Sequence, residues 1–114
     1  MPNVRFYRQD GKEDICYEEA KTISLEDALG YVESHPVNEG DDVGYFIGFI
    51  NEKDEEVQFV RFDTEDWMVD ASIQKHDKLE SWQGDANTSQ VKQIVSLFAN
   101  GKGWQKVVKL SKIC

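Results

Sequence analysis

The alternation of apolar and polar positions predicts a strand over residues 43–51, near the middle of the chain. Large apolar side chains would lie on both of its faces, which is typical of a central strand covered on both sides. Two glycines, Gly44 and Gly48, share one face and leave room for a close neighbour. The larger side chains are Val43, Tyr45, Ile47 and Phe49 on one face and Phe46 and Ile50 on the other.

Two acidic turns follow this strand and predict an antiparallel meander. The first turn, residues 52–55, is typical of a four-residue hairpin loop. That loop length predicts a register in which Gly48 lies opposite Phe59, whose ring would cover the bare glycine. The second turn, residues 63–66, leads into a third strand over residues 67–73.

Two helices are predicted from apolar residues spaced at i, i+3, i+4 and i+7. Ser24 is a good N-cap for the first helix, over residues 25–34. The second helix begins after Asn87, with Gln90 placed to complete a capping box, and ends near Gly101.

The two ends of the chain carry weaker strand patterns. Residues 4–8 and 13–22 predict an N-terminal hairpin, and residues 107–110 predict a last strand. Residues 74–86 are polar and contain a predicted turn at Gly84-Asp85. Together these patterns indicate one α+β domain of 114 residues. Its mainly antiparallel sheet would have five or six strands, from the N-terminal hairpin, the central meander and the C-terminal strand, with two helices beside it.

The charge of the chain is concentrated in the meander. Residues 39–70 contain eleven acidic residues against Lys53 and Arg61, an excess equal to the net charge of −9 for the whole chain. An acidic surface repels nucleic acid and anionic membranes and attracts basic proteins. Solubility is the ordinary alternative explanation of such a charge.

No motif for catalysis, a cofactor or a metal occurs in the sequence. His35 and His76 share no metal-binding spacing, and the acidic turns do not match a calcium-binding loop. Cys16 and Cys114 are too few for a disulfide framework and are expected to be free thiols. Because the chain also shows no signal core and no membrane span, we expect a cytoplasmic protein.

Two residues after the second turn leave alternatives open. Asp70 should point away from Trp67, and it could pair with Arg61, be solvated or act in function. Trp67 and Trp82 could be surface anchors, since tryptophan is common at binding hot spots, or they could belong to the core.

The middle of the chain resembles the small immunity proteins of bacterial polymorphic-toxin and contact-dependent inhibition systems. The similar segments are GYFIGFINEKDEEVQFVRF, the DTEDWMVD that follows it, and SWQGDANTSQVKQIVSLFANG, covering roughly residues 43–101. The resemblance implies an α+β fold, no catalysis and tight one-to-one binding of a toxin. The toxin would often be a nuclease or deaminase with a basic active site, in which an acidic patch replaces the nucleic acid.

The leading interpretation is therefore a non-enzymatic acidic protein that binds and neutralises a basic toxin. The alternatives are a small enzyme using carboxylates of the meander, and an acidic adaptor or nucleic-acid mimic. No cofactor, metal or catalytic residue is expected, and neither nucleic acid nor membrane is expected to bind directly. The predicted partner-binding residues are Asp54, Glu55, Glu56, Asp63, Glu65, Asp66, Trp67 and Asp70.

Overall fold

The computed structural model describes residues 3–12, 14–38, 44–75 and 77–113. Its two helices are α1 (Leu25–Ser34) and α2 (Thr88–Ala99), and a short 3-10 helix spans Tyr17–Glu19. The strands, in chain order, are β1 (Asn3–Gln9), β2 (Asp14–Ile15), β3 (Lys21–Ser24), β4 (Phe46–Ile50), β5 (Glu56–Asp63), β6 (Asp66–Lys75), β7 (Lys78–Ala86) and β8 (Ser111–Ile113).

The eight strands of the described chain form one sheet, with each neighbouring pair antiparallel. The order is β2-β1-β4-β5-β6-β7-β8, and β3 pairs with β1 on the same side as β2. The α+β class with two helices is thus confirmed, although the sheet has more strands than the five or six predicted. One extra strand arises because the predicted strand 13–22 is interrupted by the 3-10 helix, which separates β2 from β3.

Both helices begin at the predicted N-cap residues, and α2 ends at the predicted glycine. The Ser24 hydroxyl accepts a hydrogen bond from the Asp27 amide at 3.1 Å, and Asn87 and Gln90 exchange the two bonds of a capping box. At the end of α2, Gly101 has a positive φ of 69°. The Lys102 amide there donates to the Leu97 carbonyl at 2.9 Å, which closes a Schellman motif.

Both helices lie on one side of the sheet, here called the inner face. Tyr31 of α1 stacks on Phe6 of β1 with ring centroids 5.0 Å apart. Thr88 of α2 accepts a hydrogen bond from Trp67 of β6, whose ring is fully buried. The opposite side, here called the open face, carries neither α-helix, and at its β1 edge Tyr17 of the 3-10 helix packs on Tyr7 with ring centroids 5.5 Å apart. The hydrophobic core therefore fills the space between the inner face and the two helices.

The meander is confirmed, but the predicted register between its first two strands is wrong by one residue. Phe59 lies opposite Ile47, and Gly48 lies opposite Gln58. The hairpin has a three-residue loop rather than four, because the Asp54 amide closes a turn on the Asn51 carbonyl and Asp54 itself takes a φ of 59°. This arrangement is a type I turn followed by a bulge residue.

Two predictions for the second half of the chain are also wrong. Strand β7 passes through Gly84-Asp85, where a turn was predicted. The glycine permits a close approach instead of a turn, because a Cβ on Gly84 would collide with the backbone of Lys109. Residues 107–110 cover the inner face instead of forming the last strand, which begins only at Ser111.

Some predictions fall outside the described residues, namely the strand start at Val43, the loop at His76 and the thiol of Cys114. Cys16 is a free, exposed thiol. In the part of the chain that the structure describes, no helix is both long and apolar enough to cross a bilayer.

We predict that Phe59→Ala and Phe98→Ala each destabilise the protein by roughly 3–5 kcal/mol, because both rings are completely buried and their removal leaves cavities. Phe62→Ala is the matched control, since Phe62 is 38% exposed, and it should cost less than about 1 kcal/mol. Denaturant unfolding measures all three. Equal losses at the three positions would mean that the face assignment is wrong.

Candidate functional site

The acidic loop between β4 and β5 is organised by Asn51. Its side-chain oxygen accepts from the amides of Lys53 and Glu55, both at 3.0 Å, and its amide group donates to the Glu55 carboxylate at 2.8 Å. Asp54 forms an exposed ion pair with Arg5 at 2.8 Å. Two of the predicted partner-binding acids, Asp54 and Glu55, therefore already have protein partners.

The second acidic turn lies at the other end of the sheet and caps α2. Glu65 accepts a hydrogen bond at 3.1 Å from the Thr88 amide, in the first turn of that helix. Asp63 accepts from the amide of Thr64 at 2.7 Å, whereas Asp66 is exposed at the start of β6. Glu65 therefore stabilises the first turn of α2 and is more than a solvated turn residue.

Of the two roles left open for Trp67, the structure shows the core, so its prediction as a partner-binding residue is wrong. The side chain has no exposed surface, and its ring nitrogen donates to the Thr88 hydroxyl at 2.9 Å. The guanidinium of Arg61 lies 4.9 Å from its ring centroid, and the ring of His35 stacks on it at 5.9 Å. Trp67 is therefore a core residue of the inner face and offers a partner nothing to contact.

The possible pair between Arg61 and Asp70 is not formed, because the two side chains lie on opposite faces. Arg61 stands opposite Trp67 on the inner face, and Asp70 stands opposite Gln58 on the open face. The Arg61 guanidinium instead donates to three backbone carbonyls, those of Glu33 at 3.2 Å, His35 at 2.9 Å and Thr64 at 2.9 Å.

A row of residues, all of them with polar side chains except one glycine, crosses the open face from strand to strand. The register aligns one residue from each of six neighbouring strands, which spans roughly 24 Å at the usual strand spacing. We call this set the polar row. Its members are Tyr7, Gly48, Gln58, Asp70, Gln83 and Ser111.

Tyr7 and Gly48 fit together within the polar row. A Cβ on Gly48 would collide with the Tyr7 ring, so the glycine lets the ring lie across β4. The phenol then donates to Glu56 at 2.7 Å and reaches Gln58 at 3.3 Å. Burial and the bond to Glu56 raise the pKa of Tyr7, so it remains a protonated hydrogen-bond donor. A glycine covered by an aromatic ring was predicted, but the ring is that of Tyr7 and not Phe59.

Asp70 is half-buried at the centre of the polar row. Burial raises the pKa of its carboxyl, and a hydrogen bond from the Gln83 side chain partly offsets that shift. Among the described residues, no ion pair involves Asp70. The neighbours directly across on β5 and β7 are the neutral amides of Gln58 and Gln83. Asp70 therefore presents a charge that no cation of the described residues neutralises.

The rows on either side of the polar row differ in character. Towards the second acidic turn, Val60 and Met68 form an apolar pair that continues to the exposed Asp85. Towards the first acidic loop, Glu56 pairs with Ser72. Over the described positions 46–50, 56–60, 68–72 and 81–85 of β4 to β7, the open face carries no lysine or arginine.

Metal binding has no support in the described part of the chain, where no group of three or more His, Cys, Asp or Glu side chains could hold an ion. The acidic pair Asp41-Asp42 lies outside the described residues. No family model, no curated protein and no solved structure gives a significant match to this chain.

Sequence reasoning missed Tyr7, Gln58 and Gln83 as members of the site. Alternation along the predicted strand 4–8 places Tyr7 on the face opposite Phe6, and the structure has the two side chains so. However, only the strand order reveals that β1 lies beside β4 and brings Tyr7 next to Gln58.

We predict that His35 makes the protein sensitive to mild acid. Burial lowers the pKa of its imidazole from 6.5 to about 4. Between these values the unfolded chain binds more protons than the folded one, so stability falls as the pH drops through this window. The loss reaches on the order of 3 kcal/mol below pH 4. His35→Phe keeps a ring on Trp67, and its stability should fall less over the window in denaturant melts. Parallel pH curves for the two proteins would contradict this expectation.

We also predict that Asp70→Asn raises the melting temperature at neutral pH. Because the folded pKa is raised above 3.8, the stability due to protonated Asp70 is present below that value and is lost as the pH rises through the raised pKa. The gain from the neutral amide should therefore disappear near pH 3. Asp85→Asn, at an exposed position, should leave the melting temperature nearly unchanged. A loss of stability in Asp70→Asn at pH 7 would contradict this assignment.

Proposed function

We propose that this protein is a non-enzymatic binding protein that docks a basic protein partner on its open face. The observation that carries the proposal is the charge pattern of that face. It extends from one acidic turn to the other, with Glu56 and Asp70 half-buried between them. Strands β4 to β7 place no basic side chain there at the described positions, and Arg5 of β1, which lies on the same face, is paired with Asp54.

The acidic surface would act first on the rate of association. Charges at both ends of the open face attract a basic surface from a distance and orient it before contact. The inner face cannot serve this purpose, because the two helices cover it. A partner lying along the face would meet both acidic ends, although the turns themselves are separated by the length of β5.

The partner that fits best is a toxin with a basic active site, such as a nuclease or a deaminase. The resemblance of residues 43–101 to small immunity proteins supports this class, and the charge pattern supports it independently. The open face would then occupy the place of the nucleic acid on the toxin. An adaptor or nucleic-acid mimic would use the same face on a different basic protein.

An enzyme that uses the carboxylates of the meander is less well supported. The raised pKa of Asp70 is what a catalytic carboxyl would need. Its neighbour Tyr7 also has a raised pKa, however, and stays protonated, so it supplies no base beside Asp70. Tyr7 therefore cannot be the base that an acid–base pair with Asp70 would need.

The test is to express the protein with the product of the gene adjacent to its own. We expect a stable complex, and protection of cells from that product if it is a toxin. The rate of association should fall as salt is raised, because the attraction is electrostatic. Absence of a complex and of protection would remove the toxin as partner.

A triple variant tests the contribution of the second acidic turn. Asp63→Asn, Glu65→Gln and Asp66→Asn remove three charges, and the first two keep the oxygens that accept from Thr64 and Thr88. Lysine at these positions would instead damage the cap of α2. We expect association at low salt to slow by about threefold or more.

The control variant removes the same number of charges from exposed positions of α1, on the other side of the sheet, with Glu26→Gln, Asp27→Asn and Glu33→Gln. Its association rate should stay close to that of the wild type. Equal rates for both variants and the wild type, independent of salt, would show that the second turn is ordinary solvated surface.

A further inference from the structure

The acids of the meander differ in how much of their charge is available to a partner. Asp54 is paired with Arg5, Glu56 accepts the Tyr7 hydroxyl and Glu65 caps α2. Asp70 has only the neutral Gln83 amide as a hydrogen-bond partner in the described chain. It is also half-buried, so an opposite charge placed on it would interact more strongly than at a fully solvated site.

We infer that the centre of the polar row, formed by Gln58, Asp70 and Gln83, binds an arginine side chain of the partner. This inference rests on the proposed function, because the arginine would belong to the basic partner proposed above. The structural basis is the alignment of one carboxylate between two amides on three adjacent strands. The inference adds to the proposed function a specific site for a guanidinium group within the acidic open face.

Arginine fits this arrangement better than lysine. A guanidinium is planar and carries five N–H donors in a fixed geometry, whereas an ammonium is a compact point charge. The carboxylate of Asp70 can accept two of these donors, and the amides stand on either side at the strand spacing of roughly 4.8 Å. The next row supplies the partly exposed side chain of Met68, an apolar surface for the aliphatic part of the arginine.

The subsite can be tested without knowing the natural partner. The probes are two capped tripeptides, Gly-Arg-Gly and Gly-Lys-Gly, titrated near neutral pH into the full chain labelled with 13C and 15N. We expect saturable shifts of the Asp70 carboxyl carbon and of the Gln58 and Gln83 side-chain amides. The arginine peptide should bind at least about threefold more tightly than the lysine peptide.

The variants separate this subsite from the general charge of the face. Asp70→Asn should abolish the preference for arginine and the shifts at Gln58 and Gln83, while the backbone amide spectrum reports that the fold is intact. Asp85→Asn is the matched control, because Asp85 is an exposed acid on the same face outside the polar row. It should leave arginine binding within about twofold of the wild type, as expected for an exposed charge that solvent screens.

Equal affinities for the two peptides, or equal weakening by both variants, would overturn the inference and leave the proposed function intact. Shifts confined to the 63–66 turn, or the absence of any saturable shift, would overturn it in the same way. Conversely, arginine-selective shifts at Asp70 would support the subsite even if the adjacent gene product fails to bind, in which case only the toxin partner is removed.

Discussion

The buried guanidinium of Arg61 holds the sheet and the first helix in one arrangement. It is only 8% exposed, has no carboxylate partner in the described chain and donates to carbonyls at the end of α1 and in the β5–β6 turn. α1 has no basic residue in its last turn and α2 no acidic residue in its first. One hairpin supplies both missing charges, since Arg61 reaches the negative end of α1 and Glu65 the positive end of α2. The stacking of Arg61 on Trp67, and the bond from Trp67 to Thr88, join these two contacts into one cluster.

The position of Arg61 determines the character of the other side of the sheet. Alternation along β5 and β6 sends Arg61 and Trp67 to the inner face, so Gln58 and Asp70 must lie on the open face. The only cation of β5 is thereby withdrawn from the acids of the meander. Asp70 stays half-buried beside neutral amides, which costs stability at neutral pH because its charge is partly desolvated. A partly desolvated charge on a face that neither α-helix covers fits the proposed binding role.

The features predictable from the sequence are those that depend on neighbouring residues. Ser24, Asn87 and Gly101 define the helix ends through contacts within a few positions, and the alternation of the meander defines its faces. The predicted register between β4 and β5 was wrong because the register depends on the type of turn. The turn that forms needs Asp54 in the left-handed conformation. Trp67 was ambiguous because its burial depends on Thr88, 21 positions later. The polar row was not predictable, since it requires β1 to lie beside β4, a contact between segments about 40 residues apart.

The acidic excess of the meander therefore separates into two kinds of charge with different physical effects. Asp54, Glu55 and Glu65 are held by bonds within the chain, so their geometry is fixed by the fold. They still contribute to the long-range field, because hydrogen bonds to neutral groups leave the net charge in place, although the pair of Asp54 with Arg5 cancels locally. A field of this kind raises the rate at which any basic surface arrives, but it does not distinguish one from another. Discrimination needs a desolvated polar group that is left unsatisfied by the wrong partner. On the open face Asp70 meets that condition best, because it combines partial burial with the absence of a cation among its described neighbours.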